Sequence, residues 1–421
     1  MKNLTRIFFA VAALVAVSCT TDVTKDLGVN HGASTTLTLS LEESRTQLGD
    51  KAGEVYPLYW SNGDKISVNG VESNALSISG NSATATFTIP GTLSAPYCIA
   101  YPAAPAGQVL FAENQTHVGN TTFGSGVSTM YAYSHATGVE LHHLTGVLKI
   151  GVVGLAKLTH AQISTIDRAP IAGPFALDFE SGEVSATETS KSVINYSFGE
   201  GIELSNEATY IHVAVPAGEY DELYVTLYDA EGGVMYATVK AGEKKPLAVG
   251  KVRTFTENIS YSPNTSVVVI RDVASLKAFA SDVTTGEGVL AKDVLLVADV
   301  DMSGEEWTSL NWNAIGEDAD GTPKKHTFIG NGFAIKGLNA PLFDILTADV
   351  KGLHLEDVNI SSDAAYAGAF ANQLCGVVSN CSASGVINYN SSAAGAFVGG
   401  IAGIAMDGAS FYNAVNHCEI N

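Results

Sequence analysis

The feature that most constrains this chain is a repeat toward its C-terminal side. Val378, Asn380 and Ile387 recur thirty-three residues later as Phe411, Asn413 and Ile420, and Gly368-Ala369-Phe370 has a looser counterpart in Gly400-Ile401. An earlier, less regular copy runs through Leu342-Phe343, Val350, Leu353, Leu355, Val358 and Ile360. Gly-rich repeats of short apolar runs cannot bury a face alone, so they stack into a solenoid in which each coil covers the next. Before the repeats, Val273, Leu276, Phe279 and Ala280 fall at helical spacing after Asp272, a suitable N-cap, which predicts a capping helix over residues 272–282. The last copy stops at Cys418-Glu419-Ile420-Asn421 with no helix, charged strand or proline to cover it, so the expectation is a truncated repeat array or a last coil covered by a partner.

Upstream, apolar residues alternate rather than recur. Leu37, Leu39 and Leu41 alternate with Thr and Ser; Ile66 and Val68, then Phe87 and Ile89, do the same. This is the pattern of half-buried strands, separated by turn signals at Asn62-Gly63-Asp64 and Pro90-Gly91. The pattern restarts after the Gly-rich stretch near residues 119–128, with strands expected at 144–153, 210–215, 223–228 and 234–239, the last two joined by the hairpin turn Glu231-Gly232-Gly233. Two consecutive β-sandwiches follow, over residues 36–127 and 128–260. The fold class is all-β.

Several motifs stand in a telling order. They are Trp60-Ser61-Asn62-Gly63-Asp64-Lys65-Ile66-Ser67-Val68, Ala100-Tyr101-Pro102, Val139-Glu140-Leu141-His142-His143-Leu144 leading into Leu148-Lys149-Ile150, Val215-Pro216-Ala217-Gly218, and Ala248-Val249-Gly250-Lys251. In this order they resemble fimbrillin-like proteins, lipid-anchored surface proteins and type V pilus components of Gram-negative anaerobes. The resemblance spans about residues 36–260 and implies two transthyretin-like sandwiches. Residues 265–421 resemble the Gly-rich repeats of bacterial surface adhesins, which implies a short, helix-capped, right-handed parallel β-helix.

The N-terminus has the anatomy of a lipoprotein signal. Lys2 and Arg6 precede an apolar run from Ile7 to Val17, and Ala16-Val17-Ser18 leads directly to Cys19. The run is about eleven residues, short of the roughly twenty that a membrane-spanning helix needs. Residues 1–18 therefore read as a cleaved signal, Cys19 as the acylated residue, and 19–35 as a polar tether. The expected location is the outer membrane, lipid-anchored and facing outward. The pilin resemblance implies one further event: Arg45-Thr46 stands where an Arg-specific protease would remove the leading strand, leaving a groove for a neighbour's strand.

Charge excludes one large class of function. With 22 Lys and Arg against 43 Asp and Glu, the chain carries a formal charge of −21, which repels nucleic acid. Beyond Cys19, the cysteines Cys98, Cys375, Cys381 and Cys418 match no metal spacing and read as small apolar residues. A Cys375–Cys381 bridge would depend on a Cα separation that spacing leaves open. His142 and His143 are adjacent in a strand and point to opposite faces, so they make no metal pair.

Catalysis finds little footing. A lyase or glycosidase would draw on Glu356, Asp357, Asp363, Asp407 or Glu419, which are scattered, and no Lys or Arg follows Lys351. Glu317-Asp318-Ala319-Asp320-Gly321 lacks the distal Glu of a calcium loop and reads as an acidic turn. Trp307, Trp312, Phe328 and Phe333 read as solenoid core before sugar platforms. Gly399-Gly400-Ile401-Ala402-Gly403 lacks the Lys-Ser/Thr of a phosphate loop. The sequence points to a non-enzymatic surface adhesin, pilus-associated or tip-like, without cofactor or metal. Its expected partners are the lipid bilayer, pilus subunits and a host or bacterial surface protein or glycan. A polymerising pilin and a glycan-binding or carbohydrate-active β-helix protein are the alternatives.

Overall fold

The structure is a computed structural model that describes residues 33–41, 59–80, 82–121, 123–124, 126–241, 245–263, 267–285, 292–313, 315–317 and 323–421. Among these residues the chain is almost entirely β, with one helix, Val273–Thr285. The first region is a seven-stranded sheet. Its order is Val71–Glu72, Ser67–Val68, Tyr97–Tyr101, Met130–Ser134, Gly138–His143, Ser34–Leu41 and Thr84–Pro90. Leu37, Leu39, Phe87, Ile89, Ile99 and Leu141 alternate inward from these strands onto Trp60. The alternation of Ile66 and Val68 ends at Asn69-Gly70, where both residues take positive φ and turn the chain back on itself.

The second region has two facing sheets. One runs Val234–Lys240, Glu222–Asp229, Lys157–Thr165, Val193–Glu203 and Asn114–Thr116. The other places Thr145–Val153 between Thr209–Pro216 and Val252–Thr254, with Ile259–Ser260 also paired to Thr145–Val153. Leu148, Ile150 and Val213 from the second sheet meet Ile163, Ile194 and Val225 from the first in one core. The strands predicted around 144–153, 210–215, 223–228 and 234–239 all form, each within a residue or so of its expected ends. The chain does not pass cleanly from one region to the next at 127/128. Gln108–Phe111 and Asn114–Thr116 pair forward with Gly173–Leu177 and Val193–Glu203, while Met130–Ser134 and Gly138–His143 pair back into the first sheet. A bridging core of Val109, Phe111, Leu144, Phe175, Leu177 and Phe179 fills the crossing.

From Val267 the ladders become parallel. Val294, Phe328, Val350, Val378 and Phe411 are successive register partners. Val300, Ile335, Leu355, Ala383 and Asn416 form a second column, and Leu310, Phe343, Ala371 and Ala402 a third. The intervals along the first column are thirty-four, twenty-two, twenty-eight and thirty-three residues. Only the last pair of coils keeps the period visible in sequence, because corner loops differ in length while the inward positions stay aligned. The helix caps the stack: Ser275 N–H donates to Asp272 Oδ1 at 2.8 Å, and Leu276, Phe279 and Val283 are buried on the stack core.

Candidate functional site

The strand Ser34–Leu41 is the first element after the predicted tether, and it is an interior strand of its sheet. It pairs antiparallel with Thr84–Pro90 along seven residues and parallel with Gly138–His143 from Thr38 to Leu41. Leu37 and Leu39 are fully buried and Leu41 nearly so. Each buried leucine contributes about 1.5–3 kcal/mol, so side-chain burial alone holds this strand by several kcal/mol. Thr35 Oγ1 donates to Gly91 C=O at 2.9 Å and accepts from Leu93 N–H at 2.8 Å. Without this strand the sheet would divide between Thr84–Pro90 and Gly138–His143, opening a groove floored by Phe87, Ile89 and Leu141.

The motifs that carried the family resemblance converge pairwise. Gly63 takes φ +92°, which the turn after Trp60 requires. Asp64 then accepts from Ser61 N–H at 2.7 Å and from the Tyr101 hydroxyl at 3.0 Å, joining the first two motifs. Burial, reinforced by the Asp64 carboxylate, pushes the Tyr101 phenol well above its ordinary range. Trp60 lies edge-on to Phe87 and Tyr101, at 4.9 and 5.1 Å between ring centroids. The fourth motif meets the residue before the fifth, as Gly218 and Leu247 exchange backbone hydrogen bonds at 3.0 and 2.7 Å, and Gly250 N–H of the fifth donates to Thr145 C=O at 2.7 Å. These contacts are structural, and none of them forms a reactive group.

The other sequence candidates are placed as follows. Cys19, Arg45 and Thr46 lie outside the described residues, as do Asp318 to Gly321 of the acidic turn. His143 is buried and hydrogen-bonds Ser128 through Nδ1 at 3.1 Å, while His142 faces out, so the pair is split across the strand. Trp307, Trp312, Phe328 and Phe333 are all buried; Trp312 stacks on Phe343 at 5.8 Å and meets Phe279 edge-on at 5.4 Å. They are core, and present no face to a sugar ring. In the Gly399–Gly403 string a Cβ on Gly400 would fall 1.8 Å from Asn416 Oδ1, and one on Gly403 2.5 Å from Ala367 N. Close approach of adjacent coils accounts for these glycines. Cys375, Cys381 and Cys418 are free thiols, so Cys375 and Cys381 are not bridged, and burial pushes the Cys381 thiol up to about 12.

Sequence reasoning missed the seam between the second region and the stack. Arg168, at φ +60°, places its guanidinium on both Asp299 oxygens at 3.0 and 3.2 Å, on Gly332 C=O at 2.9 Å and, through Nε, 3.3 Å from Glu356. Lys336 completes the network, 3.1 Å from Glu356 and 3.5 Å from Asp299. Burial raises the Asp299 carboxyl, but Arg168, the Ala334 N–H and Lys336 outweigh it and hold the group below its usual range. Around this centre Ser164 Oγ donates to Asn331 C=O, Asn331 Nδ2 to Thr226 Oγ1, and Lys351 Nζ to Thr238 Oγ1, at 2.8, 2.7 and 3.0 Å. Glu356, a candidate acid in sequence, is thus a member of an ion-pair network. It lines a groove of about 580 Å³ with Asp299, Glu113 and Glu188, where Arg168 and Lys336 pair with its carboxylate.

Among the described residues no group of three or more His, Cys, Asp or Glu is placed to hold a metal ion, and no helix is long and apolar enough to cross a membrane. No family model matches the chain, and no curated protein matches it. Two solved structures resemble it in part. One, from Bacteroides ovatus, is provisionally described as a cell adhesion protein; it is 9% identical, with a TM-score of 0.32, over 55% of this chain and 96% of its own. The other, from Bacteroides thetaiotaomicron and described in the same way, is 12% identical, with a TM-score of 0.25, over 54% of this chain and 93% of its own.

Proposed function

We propose that this chain is a non-enzymatic, outward-facing adhesion lipoprotein of fimbrillin-like type. In this reading Cys19 carries the lipid in the outer membrane, the two antiparallel regions are transthyretin-like sandwiches, and the parallel ladders are a right-handed β-helix held away from the membrane. It acts as a pilus-associated or tip-like subunit whose β-helix meets a protein or glycan on a host or bacterial surface. The observation that carries the reading is the leading strand: an interior strand entered from the tether and followed by Arg45. Cleavage there would release it and leave a groove for a strand from a pilus neighbour, main chain to main chain with leucine pockets setting register. The seam supports the tip-like role, since it fixes the stack to the second region by charged and buried polar contacts.

The test is a pair of measurements on the native surface protein. Mass spectrometry of the membrane-extracted chain is expected to find acylated Cys19, or a start at Thr46 after processing. Cells displaying a variant that lacks residues 267–421 are expected to lose attachment while keeping surface display. Attachment that persists without these residues, or oligosaccharide released from a polysaccharide panel by the purified chain, would overturn the proposal.

A further inference from the structure

Two grooves of opposite charge lie side by side on the second region. The first, about 460 Å³, is lined by Lys245, Lys251 and Arg253 with Thr254 and Thr256, and among the described residues no carboxylate lines it. In a chain with 43 acidic and 22 basic residues that concentration runs against composition. The second, about 580 Å³, is lined by Asp167, Glu219, Asp221 and Glu222, with Lys240 as its one cation among the described residues. Ala241 lines both grooves, and the Arg253–Asp221 ion pair, 3.3 Å, spans the boundary between them. Lys251 on one side and Asp167 and Glu219 on the other are exposed.

A polyanion drawn to the first groove would meet the carboxylates of the second, which adjoins it at Ala241, and a polycation would meet the reverse. A partner that satisfies both halves must itself carry both signs side by side. Adjacent patches of opposite sign become complementary to themselves after a half-turn about an axis through their boundary, which is the requirement of an isologous dimer. Copies of a chain at −21 repel one another on average, so a patch that carries both signs lets two copies approach at lower electrostatic cost than a net-negative surface does. Pro246 and Ala248 in the cationic groove, and Val249 beside it at 48% exposure, supply apolar surface to bury.

We propose that two copies of this chain pair through this patch, with Lys251 of each facing Asp167 and Glu219 of the other. The pairing requires neither cleavage at Arg45 nor exchange of the leading strand, so its success or failure is independent of the adhesion reading.

Sedimentation equilibrium of the full mature chain tests it. A dimer is expected at about 50 mM salt, weakened at least about tenfold at about 500 mM as screening shortens the reach of the charges. Lys251→Glu and Glu219→Lys are each expected to be monomeric, since each makes both contacts repulsive. An equimolar mixture of the two is expected to form a mixed dimer, and the double variant in one chain to dimerise again, because both restore opposite signs across the axis. A wild-type chain that stays monomeric, a dimer indifferent to salt, or variants that fail to pair when mixed would each overturn the proposal.

Discussion

The mainly antiparallel regions, residues 33–260, and the mainly parallel stack, residues 267–421, bury apolar surface by different rules. In the first sheet each strand is matched to its own neighbours, and Leu37, Leu39 and Leu41 fit one place between two unlike strands. In the stack one column repeats, from Val294 through Phe328, Val350 and Val378 to Phe411, so each coil is the template for the next. A sheet of unlike strands tolerates local error poorly but contains it. A stack passes an error to both neighbouring coils.

The sharpest way to break that contrast is Trp312→Ala. Trp312 is fully buried against Phe279, Phe328 and Phe343, so truncation is expected to cost about 3–5 kcal/mol. Amide hydrogen exchange should lose protection through residues 292–389 while the strands of residues 33–241 stay protected. Uniform loss across the chain would mean that the regions unfold as one unit.

Acid probes both regions through a buried histidine in each whose proton affinity burial lowers. Burial lowers His212 in the second region and His354 in the stack to about 4. With an unfolded value near 6.5, the unfolded chain binds these protons first. The stability they contribute is therefore complete above about pH 6.5 and lost as pH falls toward 4, by about 2–3 kcal/mol for each histidine. His354→Asn, which can keep a hydrogen bond to Ser382, is expected to flatten the acid sensitivity of the stack and leave that of the second region. Denaturant midpoints followed by exchange at pH 7 and pH 4.5 would reveal it; equal acid loss in the variant would argue against His354 as the source.

Gly376→Ala asks how closely the coils approach. The new Cβ would sit 1.8 Å from Ala348 O, and overpacking of this kind costs about 1–3 kcal/mol. A thermal midpoint unchanged from wild type would show that the coils can part without penalty. Arg168→Ala is expected to cost less, about 1 kcal/mol, because the network is partly exposed and screened. Its signature is a gain in proteolysis at the seam that high salt reproduces in the wild-type chain. Asn413→Ala is expected to cost a similar amount, about 1 kcal/mol, because it removes an exposed bond to Asn380 at 3.1 Å and places alanine at φ +50°.

Much of the stack was legible beforehand. The pairing of Val378 with Phe411 and of Ile387 with Ile420 is the register that the repeat implied, and Asn380 and Asn413 are hydrogen-bonded to each other. The earlier coils were harder to read because their corners change length: five residues separate Phe328 from Ala334, against three between Val350 and His354. The family motifs were legible as a list but not as contacts. Asp64 and Tyr101 lie 37 residues apart, and only the paired strands bring the carboxylate to the phenol.

What the sequence determined by itself is what local periodicity can encode. Alternation required strands with one buried face, recurrence required coils that stack, and helical spacing after Asp272 required the cap, because each pattern leaves apolar surface that only one local geometry gathers. The tertiary structure decided everything that joins distant segments. It crossed the strands on either side of residue 127, buried the aromatic residues that might have met a sugar, and set Arg168 against Asp299 across 131 positions of chain. Such pairings follow from which surfaces remain to be covered once the local elements exist, and no spacing along the chain records that.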